Sequence, residues 1–229
     1  MSVAALEVFL RANAPPGPRK PLEPILHADE ADWFFRGIRR SLFSFSACPL
    51  ACPRYKRWSS TGRDEFLTPS GARRHLYSAP GQPQMRLNRE YLPHLAAYSY
   101  AVEAGFLREQ SLLSVYRRFQ IASLPGKKPG QRYETDAEFY GPTGALELQI
   151  EAKSRPNQVE KLATQIDQAH RLRRMPMEVA KEIVYVLELK PKCLWIVGPG
   201  SIDPPLHVFH VQVTDTDASF ERLQSLRSP

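Results

Sequence analysis

Residues 131 to 153 read QRYETDAEFY, then GPTG, then ALELQIEAK. Both flanking runs are rich in residues that suit a pleated surface, and Gly141-Pro142-Thr143-Gly144 between them carries the chemistry of a tight reversal. The stretch therefore predicts a β-hairpin, with strands over 131–140 and 145–153. Successive side chains of a strand point to opposite faces, so Leu146, Leu148 and Ile150 share one side and Glu147, Gln149, Glu151 and Lys153 the other. Glu134, Asp136 and Glu138 are expected to share a face in the same way. Closing the hairpin brings that acidic face beside Glu151 and Lys153, a concentration of negative charge that a cation would relieve.

Working outward, a helix is expected over about 157–174, with Val159, Leu162, Ala163 and Ile166 on its apolar side and Gln158, Lys161 and Gln165 on the other. Apolar runs at 183–189, 193–197 and 207–213 read as buried strands, and an amphipathic helix is expected from about 216. Upstream, 115–123 reads as a strand. Residues 89–107 read as a helix opened by Asn88 and ended near Gly105, with Leu92, Leu95, Ala96, Tyr100 and Ala104 at helical spacing. Two further helices are expected over 2–12 and from Asp29 to about Phe45, while 46–86, rich in Pro, Gly, Ser and Arg, reads as loops with short strands among them. Helix, strands, helix, strands, helix is the order of an α/β protein with a mixed central sheet flanked by helices. The expected division is a helical and loop-rich N-terminal region, 1–86, and a core, 87–229.

The chain has 229 residues, 31 of them Lys or Arg against 24 Asp or Glu, giving a net charge of +7. A basic balance permits a polyanion partner but does not choose a reaction. Three cysteines, an odd number, do not close into a disulfide framework. No run approaches the about 20 apolar residues of a membrane span. A cytoplasmic protein without membrane insertion is the expectation. Cys48 and Cys52 with His75 make a thin zinc pattern, and His207 and His210, three apart in a strand, point to opposite faces and do not share a metal. Gly198-Pro199-Gly200-Ser201 lacks the ending of a phosphate loop and reads as a turn.

Asp136, then Glu151-Ala152-Lys153 at the end of a strand fifteen positions on, with a helix directly after, resembles the PD-(D/E)xK nuclease superfamily. The match covers about residues 88–197, with Thr135 standing where proline is usual. The resemblance implies a restriction-endonuclease-like core in which Asp136 and Glu151 bind Mg2+ or Mn2+ and Lys153 is the catalytic lysine. It also implies a Gln or Lys from the following helix, here Gln158 or Lys161, and an acidic ligand from the preceding helix, for which Glu90 and Glu103 are both open. Magnesium is commonly held by one or two carboxylates and suits phosphodiester hydrolysis, where Lys153 would orient water or meet charge on the phosphate.

The expected activity is a metal-dependent DNA endonuclease in defence, mobile-element movement or repair. The alternatives are a ribonuclease and a non-catalytic nucleic-acid-binding or assembly protein on the same fold. Arg54, Lys56 and Arg57, interleaved with Tyr55 and Trp58, are expected to grip phosphates together with Lys161. DNA is the expected partner, RNA the alternative, and a homodimer or larger complex is compatible with either. The competing view of Glu151 and Lys153 is a solvated surface pair of little energetic worth. A second E-x-K, Glu188-Leu189-Lys190, lacks an acidic hairpin partner and a following helix.

Overall fold

The structure, a computed structural model, describes residues 1–12, 26–40, 42–45, 50–51, 56–57, 65–66, 87–106, 112–115, 118–120, 132–172, 186, 189–214 and 218–226. Its helices are α1 (Val3–Ala12), α2 (Ala28–Arg39), α3 (Tyr91–Glu103) and α4 (Pro156–Leu172). Four two-residue strands come first: β1 (Ser44–Phe45), β2 (Leu50–Ala51), β3 (Lys56–Arg57) and β4 (Glu65–Phe66). Then follow β5 (Leu112–Val115), β6 (Arg118–Gln120), β7 (Arg132–Glu134), β8 (Ala137–Tyr140), β9 (Leu146–Ala152), β10 (Cys193–Val197), β11 (Val208–Val213) and β12 (Ala218–Leu223).

The central sheet has six strands in the order β12-β11-β10-β9-β8-β5. Only the β9–β10 pair is parallel; the other neighbours run antiparallel, so the sheet is mixed and the class is α/β. Parallel neighbours cannot be joined by a tight turn, and α4 lies on the long connection that the β9–β10 pair requires.

The two sheet faces carry different cores. On one face Ala137, Phe139, Leu148, Ile150, Ala152, Trp195 and Val197 pack with α1, α2 and α3. On the other, Leu194, Ile196, Phe209, Val211 and Phe220 pack with Val159, Leu162, Ala163 and Ile166 of α4. α3 is buried on nearly every side from Leu92 to Ser99, as a helix wedged between a sheet and other helices must be. Leu6, Leu10 and Phe34, all from residues 1–86, are fully buried in the same cluster as α3 and the sheet. Gly37 permits the close approach of α2 to α3, because a Cβ there would stand 2.2 Å from Ser99 Oγ and 2.4 Å from Phe43 Cε1. Among the described residues no helix is long and apolar enough to cross a membrane.

Five expected elements differ from what is observed, the first being the strand over 115–123, whose described residues fall in two ladders: Val115 ends β5, which pairs with β8, and Arg118–Gln120 form β6, which pairs with β7. The strand over 131–140 is broken at Thr135 and Asp136: β7 pairs with β6, whereas β8 pairs with β5 and β9, so Glu134 belongs to a separate ladder. At 183–189, Val186 and Leu189 are helical, and the Lys190 N–H donates to the Val186 carbonyl at 2.8 Å. The helix expected from 216 is instead edge strand β12, where Ala218 and Phe220 alternate with Ser219 and Glu221 opposite β11. α2 stops at Arg39 rather than near Phe45, because Phe43 turns back into the core beside Gly37. The described residues of 46–86 are the short strands β2, β3 and β4, and the rest of that stretch, with the zinc pattern of Cys48, Cys52 and His75, lies outside the described residues.

A buried ion pair ties the start of α3 to α2. Arg89 donates through both terminal nitrogens to the Glu30 carboxylate, which is fully buried. Burial pushes the Glu30 carboxyl up to about 6 from 4.5, against the opposing pull of Arg89. The folded chain therefore takes up this proton before the unfolded chain does. Its contribution is complete below pH 4.5 and is lost as pH rises through about 6. A Glu30→Gln variant lacks this dependence. The stability difference, wild type minus variant, is expected to fall by about 2 kcal/mol between pH 4.5 and 7 in paired urea melts, and a pH-independent difference would refute the assignment.

Candidate active site

The hairpin expected from the sequence is present. β8 and β9 pair with Ala137 opposite Ile150, Glu138 opposite Gln149 and Phe139 opposite Leu148. At the turn, the Gly141 N–H donates to the Ala145 carbonyl at 2.9 Å, and Gly144 adopts a φ of 81°, a conformation side chains disfavour. Because Ala137 sits opposite Ile150, the register sets Asp136 beside Glu151.

Asp136 lies where β8 has left the ladder, and its Oδ2 accepts the Ala152 N–H at 2.7 Å. The carboxylate thus takes the place of the strand carbonyl that would otherwise serve the end of β9. Burial is the first cause holding the Asp136 carboxyl well above the usual carboxylate range, followed by the negative charges of Glu151 and Glu90; the Ala152 N–H and Lys153 pull the other way. Lys153 Nζ donates to Glu151 Oε1 at 2.7 Å, with Lys153 18% and Glu151 4% exposed. That is not the solvated surface pair of the competing view. Asp136, Glu151 and Lys153 are brought together at the end of β9, immediately ahead of α4.

The two candidates on α3 are separated by the fold. Glu90 stands at the N-terminus of α3 and its charge acts on Asp136. Glu103 stands about three and a half turns away, pairing with Arg36 at 3.3 Å and Arg40 at 3.2 Å. Gln158 and Lys161 are both exposed on the first turns of α4, and Gln158 Oε1 accepts from Ser154 Oγ at 2.9 Å. Lys56 and Arg57 form β3, paired with β4; Arg54 lies outside the described residues.

Among the described residues no group of three or more His, Cys, Asp or Glu side chains is gathered as a cation-holding cluster. The donors that converge are two carboxylates with a third charge nearby. Hard oxygen donors of that number suit Mg2+ or Mn2+, which keep waters and substrate oxygens in their remaining positions, and do not suit a four-ligand zinc cage. The repulsion that Asp136 feels from Glu151 and Glu90 is what a divalent cation would offset.

Elsewhere, His207 contacts Glu160 of α4 at 3.1 Å whereas His210 stands 3.9 Å from Glu221 of β12, so the two share no ligand position. Residues 198–201 form a turn, with the Gly198 N–H donating to Ser201 Oγ at 2.8 Å. In the second E-x-K, Leu189 is helical and Lys190 has a φ of 51°; Glu188 lies outside the described residues. Strand alternation assigns Glu138 and Gln149 only to a face. In the structure both are fully buried, and Thr135 Oγ1 and Tyr140 OH donate to Glu138 at 2.7 and 2.5 Å. The Thr-x-x-Glu-x-Tyr spacing across a strand start carried that signal. No protein-family model matches the chain, and no curated protein or solved structure matches it either.

Proposed function

We propose that this chain is a metal-dependent endonuclease with a restriction-endonuclease-like core that hydrolyses phosphodiester bonds in DNA. The observation that carries the reading is the meeting of Asp136, Glu151 and Lys153 at the end of the β8–β9 hairpin, in a largely buried setting that costs free energy unless it is used. Asp136 and Glu151 would hold Mg2+ or Mn2+, with Glu90 supplying further negative charge from the start of α3. When bound, the ion supplies Lewis acidity toward the scissile phosphate and lowers the pKa of a coordinated water.

The remaining steps belong to the chain. Lys153, fixed against Glu151, would present its ammonium to the negative charge that grows on the phosphate oxygens as the nucleophile arrives. Low exposure strengthens that interaction relative to one in bulk water. Gln158, held by Ser154 on the first turn of α4, would orient water or a phosphate oxygen, and exposed Lys161 would neutralise a neighbouring phosphate. From their sequence alone, Arg54, Lys56 and Arg57 are the basic residues that would meet further phosphates.

The test is incubation of purified chain with supercoiled, linear and branched DNA and with RNA, in Mg2+, in Mn2+ and in EDTA. Cleavage of DNA in metal alone is the expected result. Cleavage of RNA only would move the substrate class, and binding without cleavage in every condition would overturn the enzymatic reading in favour of a nucleic-acid-binding protein.

A further inference from the structure

Beneath the candidate site the sheet face is polar where an apolar one would be expected. Glu138 and Gln149 are register partners on β8 and β9, and both are fully buried. Neither the Gln149 Oε1 nor its Nε2 makes a hydrogen bond among the described residues. The parallel neighbour of Gln149 on β10 is Leu194, which packs with α4, so the polar layer and the α4 core share one face of the sheet. Burying a carboxylate and an amide side by side costs several kcal/mol more than burying two leucines there. Such a cost in the middle of a sheet calls for a use.

Glu138 shows what the use is. Its two carboxylate oxygens divide their contacts: Oε1 accepts from Thr135 Oγ1 at 2.7 Å, and Oε2 accepts from Tyr140 OH at 2.5 Å. Thr135 is itself fully buried and immediately precedes Asp136, at the point where the chain leaves the β8 ladder. A backbone that leaves a ladder loses the hydrogen bonds that fix its direction, so a side-chain tether becomes its constraint. Through that tether the chain emerges with Asp136 turned back over β9, close enough to accept the Ala152 N–H. A carboxylate pressed toward Glu151 and Glu90 is pushed outward by their charges, and the Thr135–Glu138 bond opposes that displacement.

We infer that Glu138 is a positioning residue for the metal-binding carboxylate Asp136, acting through the Thr135 hydroxyl. The inference rests on the nuclease reading of the same site. Groups that orient a metal ligand from behind contribute about 10- to 100-fold in metal affinity when they are removed. Glu138 differs from a merely structural buried residue in one respect: its loss should appear as weaker metal binding rather than only as a lower melting temperature.

The experiment is Mn2+ titration, by calorimetry or by the free-ion electron paramagnetic resonance signal, on the full chain and on Glu138→Gln, Glu138→Ala and Thr135→Val. The glutamine variant keeps an acceptor for Thr135 and is expected to bind within about threefold of wild type. The alanine and valine variants remove opposite ends of the tether and are each expected to weaken Mn2+ binding by about 10-fold or more, with circular dichroism reporting a native fold. Valine is nearly isosteric with threonine, so Thr135→Val decides the matter even if Glu138→Ala does not fold. Wild-type affinity in both tether variants overturns the inference while leaving the nuclease reading intact. A wild-type chain that binds no Mn2+ overturns that reading and the inference with it.

Discussion

Replacing Lys153 with alanine is expected to lower the rate of Mg2+-dependent DNA cleavage by about 10²- to 10³-fold, the usual loss when one preorganised charge-stabilising donor is removed from a reaction centre. The loss should fall on kcat, with KM for DNA nearly unchanged, because the ammonium meets charge that grows only as the phosphate reacts. A structural cost accompanies it. Lys153 is the cation that faces Glu151, and removing one member of a largely buried pair costs about 3 kcal/mol. The comparison therefore belongs at saturating Mg2+, where Glu151 again faces a cation. Lys153→Arg keeps the positive charge but not the compact ammonium, and is expected to fold like wild type while recovering only part of the rate. An alanine variant that cuts at the wild-type rate in saturating metal would remove Lys153 from the chemistry.

Asp136→Asn carries the second large effect, and it is visible without any substrate. Asparagine retains an acceptor for the Ala152 N–H and removes the carboxylate charge. The Asp136 carboxyl in the folded chain sits well above its ordinary value, because burial and the charges of Glu151 and Glu90 oppose its ionisation. The folded state therefore binds this proton more tightly than the unfolded state. Deprotonation costs stability as pH rises through the folded value, and the cost disappears below the unfolded value of 3.8. In the absence of metal, the variant is expected to be more stable than wild type at pH 7 and equal to it near pH 3.5. Divalent cation reverses the order of benefit. At tenfold excess over its dissociation constant it stabilises wild type by about 1.4 kcal/mol, which raises the melting temperature by roughly 3 to 6 °C, and it leaves the variant unmoved. Thermal melts of both proteins with Mn2+ and with EDTA check all of this. A variant less stable than wild type without metal would mean that Asp136 serves the fold, as a cap on β9, rather than the chemistry.

The parts of this fold that were legible in the sequence are those in which local and tertiary signals agree. The Gly141–Gly144 turn, the alternation of Leu146, Leu148 and Ile150, and the apolar side of α4 each require only one period and one neighbour. β12 was illegible because an edge strand shows its period to a single partner: Phe220 and Arg222 face α4, where Arg222 meets Asp167 at 2.9 Å, yet their spacing also fits a short helix. Val186 and Leu189 misled in the opposite sense, since a short run of Ile, Val, Tyr and Leu reads alike as buried helix or buried strand.

The candidate site shows the same division. Glu151 and Lys153 followed from strand alternation alone. Asp136 reached its neighbours by a different route from the one alternation suggests, because the strand breaks at Thr135 and the side chain crosses from outside the ladder. Spacing could not separate Glu90 from Glu103; in the fold the charge of Glu90 acts on Asp136, whereas Glu103 pairs with Arg36 and Arg40. The burial of Glu138 and Gln149 was illegible for a simple reason, namely that polar residues on alternate strand positions ordinarily mark a solvated face.

The central claim is that Asp136 and Glu151 together hold a divalent cation beside Lys153. Anomalous diffraction from crystals of the full chain soaked in MnCl2 tests it without relying on substrate choice. One manganese peak in contact with carboxylate oxygens of both Asp136 and Glu151, absent from Asp136→Asn crystals, is the expected result. Manganese bound only elsewhere, or a well-ordered Asp136 and Glu151 with no peak between them, would contradict it.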